Sequence, residues 1–260
     1  EATVTLPEGL RGAGQLRFTV SADVDNTISE QNTGGTAETN NDATLTLTAQ
    51  LAAYPDLIVS ALTVDPAVAW APGSAVTLHW QVQNAGTRAT SGSWADTVQV
   101  INLSTGQPVL VQAVPYVEGD AGNGPVGPSE TRERTLTFTW PSAPNANGRF
   151  EFNVSLDSGS TVSEVNASGT GELNNLARLV VASAPDLQIG SLRIDPAGVA
   201  AGDTVTLKWD SVNGGVRPLN TAFADRVIVT NTRTGETLID TAVAYDPATA
   251  GVIAAGGSRA

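Results

Sequence analysis

The sequence predicts an all-β chain of tandem antiparallel β-sandwiches, and three observations carry that prediction. Apolar residues alternate with polar ones: Val76, Leu78, Trp80 and Val82 interleave with Thr77, His79, Gln81 and Gln83, and Phe150, Phe152, Val154 and Leu156 with Glu151, Asn153 and Ser155. That is the pattern of strands with one buried face. The runs are rich in Thr, Val, Ser and Gly, which suit strands and turns better than helices, and no stretch of about a dozen residues keeps a 3.6-residue period. The third observation is a long internal repeat. Phe18-Thr-Val-Ser-Ala-Asp23 through Ser29-Glu30 returns as Phe152-Asn-Val-Ser-Leu-Asp157 through Ser163-Glu164, 134 positions on. Asn40-Asn41 returns as Asn174-Asn175 at the same spacing, and Pro55-Asp56-Leu57 as Pro185-Asp186-Leu187 at 130. A period this long duplicates a whole domain, not a solenoid unit.

Taken in order, the complete repeat, residues 52–182, holds about seven strands, near 56–64, 74–84, 95–102, 108–117, 133–140, 149–156 and 176–182. Turn signals divide them: Ala71-Pro-Gly73, Asn84-Ala-Gly86, Thr105-Gly-Gln-Pro108 and Asn145-Ala-Asn-Gly148. Short strands at this spacing predict an immunoglobulin-like sandwich. The expected core is Leu57, Val59, Leu62, Leu78, Trp80, Val98, Val100, Leu136, Phe138, Phe150, Phe152 and Leu179, with Trp80 anchoring a central strand and Trp94 covering an edge.

The next copy begins at 183. Trp80 maps to Trp209, Val76 to Val205, Trp94-Ala-Asp96 to Phe223-Ala-Asp225 and Tyr116 to Tyr245, each 129 positions on. Residues 183–260 thus supply the first part of a repeat, and residues 1–51 supply the last three strands of one. The two pieces hold 78 and 51 residues, together 129, one repeat. Gly256-Gly-Ser-Arg-Ala260 followed by Glu1-Ala-Thr-Val-Thr-Leu-Pro7 also reads like an unbroken version of the strand that ends at Trp140-Pro141. Three parts are expected: the end of a repeat (1–51), a complete repeat (52–182) and the start of a repeat (183–260) that a 1–51 equivalent completes. The expected partners are neighbouring copies, head to tail. A single long chain is preferred, because the seam reads as continuous strand, and separate subunits are the alternative.

Composition narrows the function classes. The chain lacks Cys, so no disulfide or thiolate site is expected, and it lacks Met, so it reads as an excerpt of a longer protein. No run of about 18 apolar residues offers a membrane span. Asp and Glu number 26 against 13 Lys and Arg, a net charge of -13 that disfavours nucleic acid and anionic lipid. Arg132 and Arg134 are too few to build a nucleic-acid face.

Several motifs recur in one order: Pro-Asp-Leu, then an apolar-x-Trp-x-apolar-x-Asn run, then Trp/Phe-Ala-Asp-x-Val, then Asp ending in Ser-Glu, then Asn-Asn. This pattern resembles the CARDB family, cell-adhesion-related domains of bacteria, over the whole chain. The resemblance implies immunoglobulin-type sandwiches strung in tandem in large secreted or surface proteins, an adhesive or structural role and no catalytic residues. The Gly-rich insert Glu118–Pro128 departs from the pattern.

Candidate chemistry is sparse. His79, the only histidine, falls on the outer face and is Lys208 in the second copy, so catalysis is not expected of it. The acidic loops offer Asp23, Asp25, Glu30 and Glu38 in one copy and Asp157, Glu164 and Glu172 in the other, with Asn26, Asn32, Asn40, Asn41, Asn166, Asn174 and Asn175 beside them. Oxygen donors in this number suit calcium. The spacing is not an EF-hand, however, and the second copy loses one Asp. The preferred reading is that these side chains bond nearby backbone amides and shape the turns. Glu118, Asp120 and Asn123 read as a flexible loop, Gly12-Ala-Gly14 opens no phosphate loop, and the sequons at Asn102, Asn153 and Asn166 read as chance.

The expected function is a non-enzymatic structural or adhesive segment of a bacterial extracellular fibre or stalk, with no cofactor and with a cell-surface or matrix ligand at most. The alternative is a carbohydrate-binding or accessory module of a secreted enzyme. Three exposed coplanar rings among Trp70, Trp94, Tyr116 and Tyr245 would favour sugar.

Overall fold

A computed structural model describes residues 1–142 and 145–260. In chain order the strands are β1 (Gly14–Ser21), β2 (Asp42–Ala49), β3 (Leu57–Asp65), β4 (Ala75–Asn84), β5 (Trp94–Asn102), β6 (Gln107–Tyr116), β7 (Thr131–Thr139), β8 (Gly148–Ser155), β9 (Leu176–Ser183), β10 (Leu187–Asp195), β11 (Thr206–Asn213), β12 (Phe223–Thr230), β13 (Thr237–Tyr245) and β14 (Ser258–Arg259). The fold is all-β and antiparallel. Helix is confined to single turns such as Gly9–Arg11 and Pro247–Ala250.

Strands β3 to β9 form two sheets, β3-β4-β7 and β6-β5-β8-β9, that close on one core. Alternation does the sorting. Val76, Leu78, Trp80 and Val82 on β4, Val98 and Val100 on β5, and Phe150, Phe152 and Val154 on β8 are buried, while the residues between them face outward or sit at half depth. Each predicted strand is present within about two residues. Every expected core residue is in the core cluster or packed against it. His79 is exposed on β4, as its phase requires.

Trp94 is the exception to the predicted layout. It does not cover an edge: β5 lies between β6 and β8, and its indole stacks on Tyr116 at 3.9 Å, almost fully buried. Two further indoles, Trp70 and Trp140, meet at 4.4 Å and plug one end of the core against Phe150. The Gly-rich insert is also pinned in place. Tyr116 Oη donates to Gly124 O at 2.7 Å, Arg132 donates to Asn123 O and Pro125 O, and Val126 is fully buried.

The flanking segments form open sheets. Residues 1–51 give the hairpin β1-β2, and 183–260 give β10-β11-β14 and β12-β13. Their apolar faces are bare: Val20, Leu45, Leu47, Ile189, Ile194 and Ile228 are all at least half exposed. Only two of the three strands expected in 1–51 are present. Residues 1–7, expected as strand, form none, and Val4 is 69% exposed. The physical reason is the missing ladder: the corresponding strand in the closed sandwich, β7, is held to β4, and among the described residues no such neighbour lies beside residues 1–7.

Candidate functional site

The recurring acids Asp157, Glu164 and Glu172 lie at one end of the closed sandwich, where the chain leaves β8, loops through 157–175 and enters β9. Asp157 is buried with φ +37°, a left-handed backbone that short polar residues tolerate best. Its carboxylate closes the loop on itself. One oxygen accepts from Thr161 N at 3.0 Å and Thr161 Oγ1 at 2.7 Å, the other from Val162 N at 2.7 Å. Asp23 repeats the device, with φ +44° and bonds from Thr27 N, Thr27 Oγ1 and Ile28 N at 2.9, 2.8 and 2.7 Å. The backbone amides of Ile28 and Thr27 hold the Asp23 carboxyl below its ordinary range. Asp25 is exposed, and Gly159 replaces it in the other copy.

Glu164 is a different kind of acid. It is 4% exposed, and its carboxyl bridges distant parts of the chain, accepting from Leu57 N at 2.5 Å and from Asn175 Nδ2 at 3.0 Å. Burial pushes the carboxyl up to about 8, against the opposing pull of those two donors. Glu172 in turn accepts from Glu164 N at 2.8 Å, and Glu38 accepts from Glu30 N at 2.8 Å in the copy. The carboxylate of Asp56, on the Pro-Asp-Leu segment, receives the amides of Asn166 and Asn174 at 3.0–3.3 Å. Of the seven candidate acids, the structure thus links Glu164 to Glu172 and Glu30 to Glu38 through single backbone bonds. Asp23 and Asp157 each serve their own turn. Among the described residues no group of three or more His, Cys, Asp or Glu side chains is arranged to hold a metal ion.

Two hubs that sequence reading passed over organise the same domain. Asn84, fully buried at the end of β4, uses its whole side chain: Nδ2 donates to Arg88 O at 2.7 Å and Val126 O at 2.8 Å, and Oδ1 accepts from Asp56 N at 3.1 Å and Gly86 N at 2.9 Å. Gly86 is demanded here, because a Cβ would lie 2.4 Å from Tyr54 O. Asn213 repeats the hub with Arg217 O, Ile253 O, Asp186 N and Gly215 N. The second hub is Asp96, buried and accepting from Trp80 Nε1 at 3.1 Å, Trp94 Nε1 at 3.0 Å and Asp157 N at 3.3 Å. Burial raises its carboxyl, with Arg134 at 3.8 Å opposing. Arg134 lies over the rings of Tyr116 and Trp80, at 5.1 and 5.8 Å, and donates to Val114 O and Pro115 O. Trp209 Nε1 to Asp225 at 2.7 Å is the copy. The signal was on the page: Trp80/Trp209 and Asp96/Asp225 share one 129-residue offset.

The four rings that would distinguish a sugar platform do not make one. Trp70, Trp94 and Tyr116 are buried, and Tyr245 lies partly covered against Phe223 at 4.9 Å.

Residues 54–177 match the CARDB family model. Among solved structures, a CARDB domain of Pyrococcus furiosus in complex with di-metal ions is 24% identical and covers 50% of this chain and 90% of that one, with a TM-score of 0.31. A domain of a Methanosarcina acetivorans protein assigned by name to the cell surface is 19% identical, covering 50% and 92%, with a TM-score of 0.30. A cycloisomaltooligosaccharide glucanotransferase of a Paenibacillus species, complexed with cycloisomaltoheptaose, is 16% identical over 52% of this chain and 15% of that one, with a TM-score of 0.33. No curated protein matches the chain.

Proposed function

Residues 54–177 belong to the CARDB family, and from that premise we propose that the chain is a non-enzymatic segment of a tandem-sandwich fibre or stalk on the bacterial exterior. The observation that carries the reading is the recurrence of whole bonding networks. The Asn84 hub returns at Asn213, and the Trp80–Asp96 bond returns at Trp209–Asp225. The Asp157 turn, likewise, has its copy at Asp23. Segment 1–51 is then the end of one repeat, 52–182 a complete one and 183–260 the start of the next.

Contacts between units support stacking. Gly9 N donates to Tyr54 Oη at 3.2 Å, and Arg217 Nη1 donates to Ala146 O at 3.0 Å. In both cases a turn preceding β1 or β8, the equivalent strands, leans on the segment that follows, at Tyr54 before β3 and at Arg217 in the β11–β12 loop. A compact 130-residue domain has a radius of gyration of roughly 14 Å, so domains in line add about 40 Å each. A chain without Cys also suits export in an unfolded state. The acids of the 23–41 and 157–175 loops act as turn clamps in this reading and not as calcium ligands, and no helix of the described residues is long and apolar enough to cross a membrane.

Immunogold labelling of intact producing cells with antibody to this segment tests the reading. Gold on surface filaments is expected, and label confined to the cell interior overturns it. Binding of soluble glucans by titration calorimetry would move the reading to a sugar-binding module.

A further inference from the structure

We propose that the joint between the turn Gly9–Arg11 and the closed sandwich is bolted by Glu164 as a neutral carboxylic acid and loosens in alkali when that acid ionises; its role between successive units rests on the tandem-repeat reading.

The joint is built on one loop. Residues 164–171 touch the turn and the Pro55–Leu57 segment at once. Leu10 Cδ1 approaches Gly169 so closely that a Cβ there would lie 3.1 Å from it, and Gly9 lies against Val165. Gly9 N also donates to Tyr54 Oη at 3.2 Å, one residue before Pro55. Toward the segment, Glu164 accepts from Leu57 N at 2.5 Å and Val165 N donates to Pro55 O at 3.3 Å. Gly171 lets the loop fold this tightly, since a Cβ would lie 2.8 Å from Glu164 O. Leu10, Arg11, Glu164, Val165 and Glu172 line one shared cavity.

Two observations put a proton on Glu164. The first is its company. The residue is 4% exposed, and the charged groups around it are mostly acids. Glu172 and Asp157 lie on its own loop, and Asp56 lies on the segment that it bonds. Arg11 is the cation among the cavity's lining residues, and among the described residues it forms no ion pair with Glu164. Burial pushes the carboxyl up to about 8, and the charges of Glu172 and Asp157 push the same way. The second observation is an orphan. Asn175 is buried, with Nδ2 on Glu164 Oε1 at 3.0 Å, and its Oδ1 has no partner among the described residues. Turned over, the amide sets Oδ1 against Glu164 Oε1, and a proton there is the missing donor.

Ionisation strands a charge in this site. A buried carboxylate beside other acids gains by moving to water. That movement draws residues 164–165 off Leu57 N and Pro55 O, and the seat of Gly9 and Leu10 goes with them. Because the folded site holds the proton more firmly than the unfolded chain, the bolt is closed at low pH and opens as pH rises.

The chain has no cysteine, so Thr46→Cys on β2 and Thr135→Cys on β7, both exposed, take spin labels on either side of the joint. Double electron–electron resonance reads the spread of their distances, and the Leu57 amide signal in NMR reads the bolt itself. As pH rises, the Leu57 amide is expected to titrate with a midpoint of about 8, and the distance spread to widen over the same range. Glu164→Gln keeps an acceptor for Leu57 N and carries no charge. In that variant neither readout is expected to change, although Tyr54 and Arg11 remain to titrate. Unchanged tryptophan-monitored melting at neutral pH certifies folding. A Leu57 amide that does not titrate, a spread that stays constant while it titrates, or a widening that persists in Glu164→Gln overturns the proposal. Cell-surface labelling is a separate measurement: titration without surface label keeps the bolt and removes the fibre, and surface label without titration does the reverse.

Discussion

Replacing Asn84 by alanine should cost the closed sandwich more than its size implies. The side chain is fully buried and makes four hydrogen bonds, two to carbonyls and two from amides, all of them backbone groups in three different loops. Truncation orphans all four. An unpaired buried polar group costs about 1–3 kcal/mol, and water entering the vacated space recovers part of that, so a loss of about 3–5 kcal/mol is expected. Four of the five tryptophans, Trp70, Trp80, Trp94 and Trp140, are buried in this core, so intrinsic fluorescence in urea reads its unfolding. With a slope near 2 kcal/mol per molar, the midpoint should fall by roughly 2 M. Asn84→Asp separates the two halves of the hub: it keeps acceptors for Asp56 N and Gly86 N but sets a carboxylate against the carbonyls of Arg88 and Val126. It should be at least as damaging at neutral pH and partly recover in acid. Asn213→Ala, in the flanking sheets, should leave the fluorescence transition in place. A shift under about 1 kcal/mol for Asn84→Ala would refute the hub as an organiser of the fold.

Further expectations follow from the same core and loop. Trp80→Ala should destabilise the sandwich by about 3–5 kcal/mol through the cavity it leaves, visible in the same urea titration; Trp209→Ala, whose ring is only partly covered, should cost less. Glu164 titrates near 8 when folded against an ordinary 4.5. Its proton is held more firmly in the folded state, so its contribution is full below about 4.5 and is lost as pH rises through 8. Stability measured between those values should fall with pH in the parent and less steeply in Glu164→Gln, and identical slopes would refute the raised titration. Millimolar calcium, with a chelator control, should leave the melting temperature unchanged. A rise that Glu30→Gln or Glu164→Gln abolishes would restore these acids as calcium ligands.

The strands were legible because their signal is local. A residue's phase along β4 or β8 is set by its immediate neighbours, and burial follows from that phase. The Asp157 clamp was legible for the same reason, since its three donors lie within five residues. Glu164 was read only as one of several loop acids, because the backbone amide that its carboxyl binds is that of Leu57, 107 positions earlier. Trp70 was missed as core because it lies outside any strand, and Trp140 because it sits at the last position of the expected strand 133–140, where its burial is set across the following turn. Trp70 is fixed by its own loop, Nε1 donating to Pro66 O, and Trp140 follows β7 and reaches Ala146 O across the turn. The strand expected at 1–7 failed on the opposite side of the same rule: its alternation is correct, but a strand also needs a ladder, and among the described residues none lies beside it.

That distinction between local and distant bonds divides the repeat itself. The Asn213 hub, the Trp209–Asp225 bond and the Tyr245 bond to Gly251 O all form inside 183–260. The Asp23 clamp and the Glu30–Glu38 bond all form inside 1–51. Each flanking segment therefore keeps the networks that its own residues can close. Bonds joining an early strand to a late loop, Asp157 N to Asp96 and Leu57 N to Glu164, form in the closed sandwich and have no counterpart among the described residues of the flanking segments. The apolar faces divide the same way, with Val98 and Val154 buried against each other and Val20 bare. In the tandem-repeat reading, the flanking segments are shaped in advance, and the surface left bare in them corresponds to the one that the closed sandwich buries between its early and late strands. Strands pre-shaped in this way lose little conformational freedom when a repeat closes, which favours closure over what the same strands would achieve from a disordered chain.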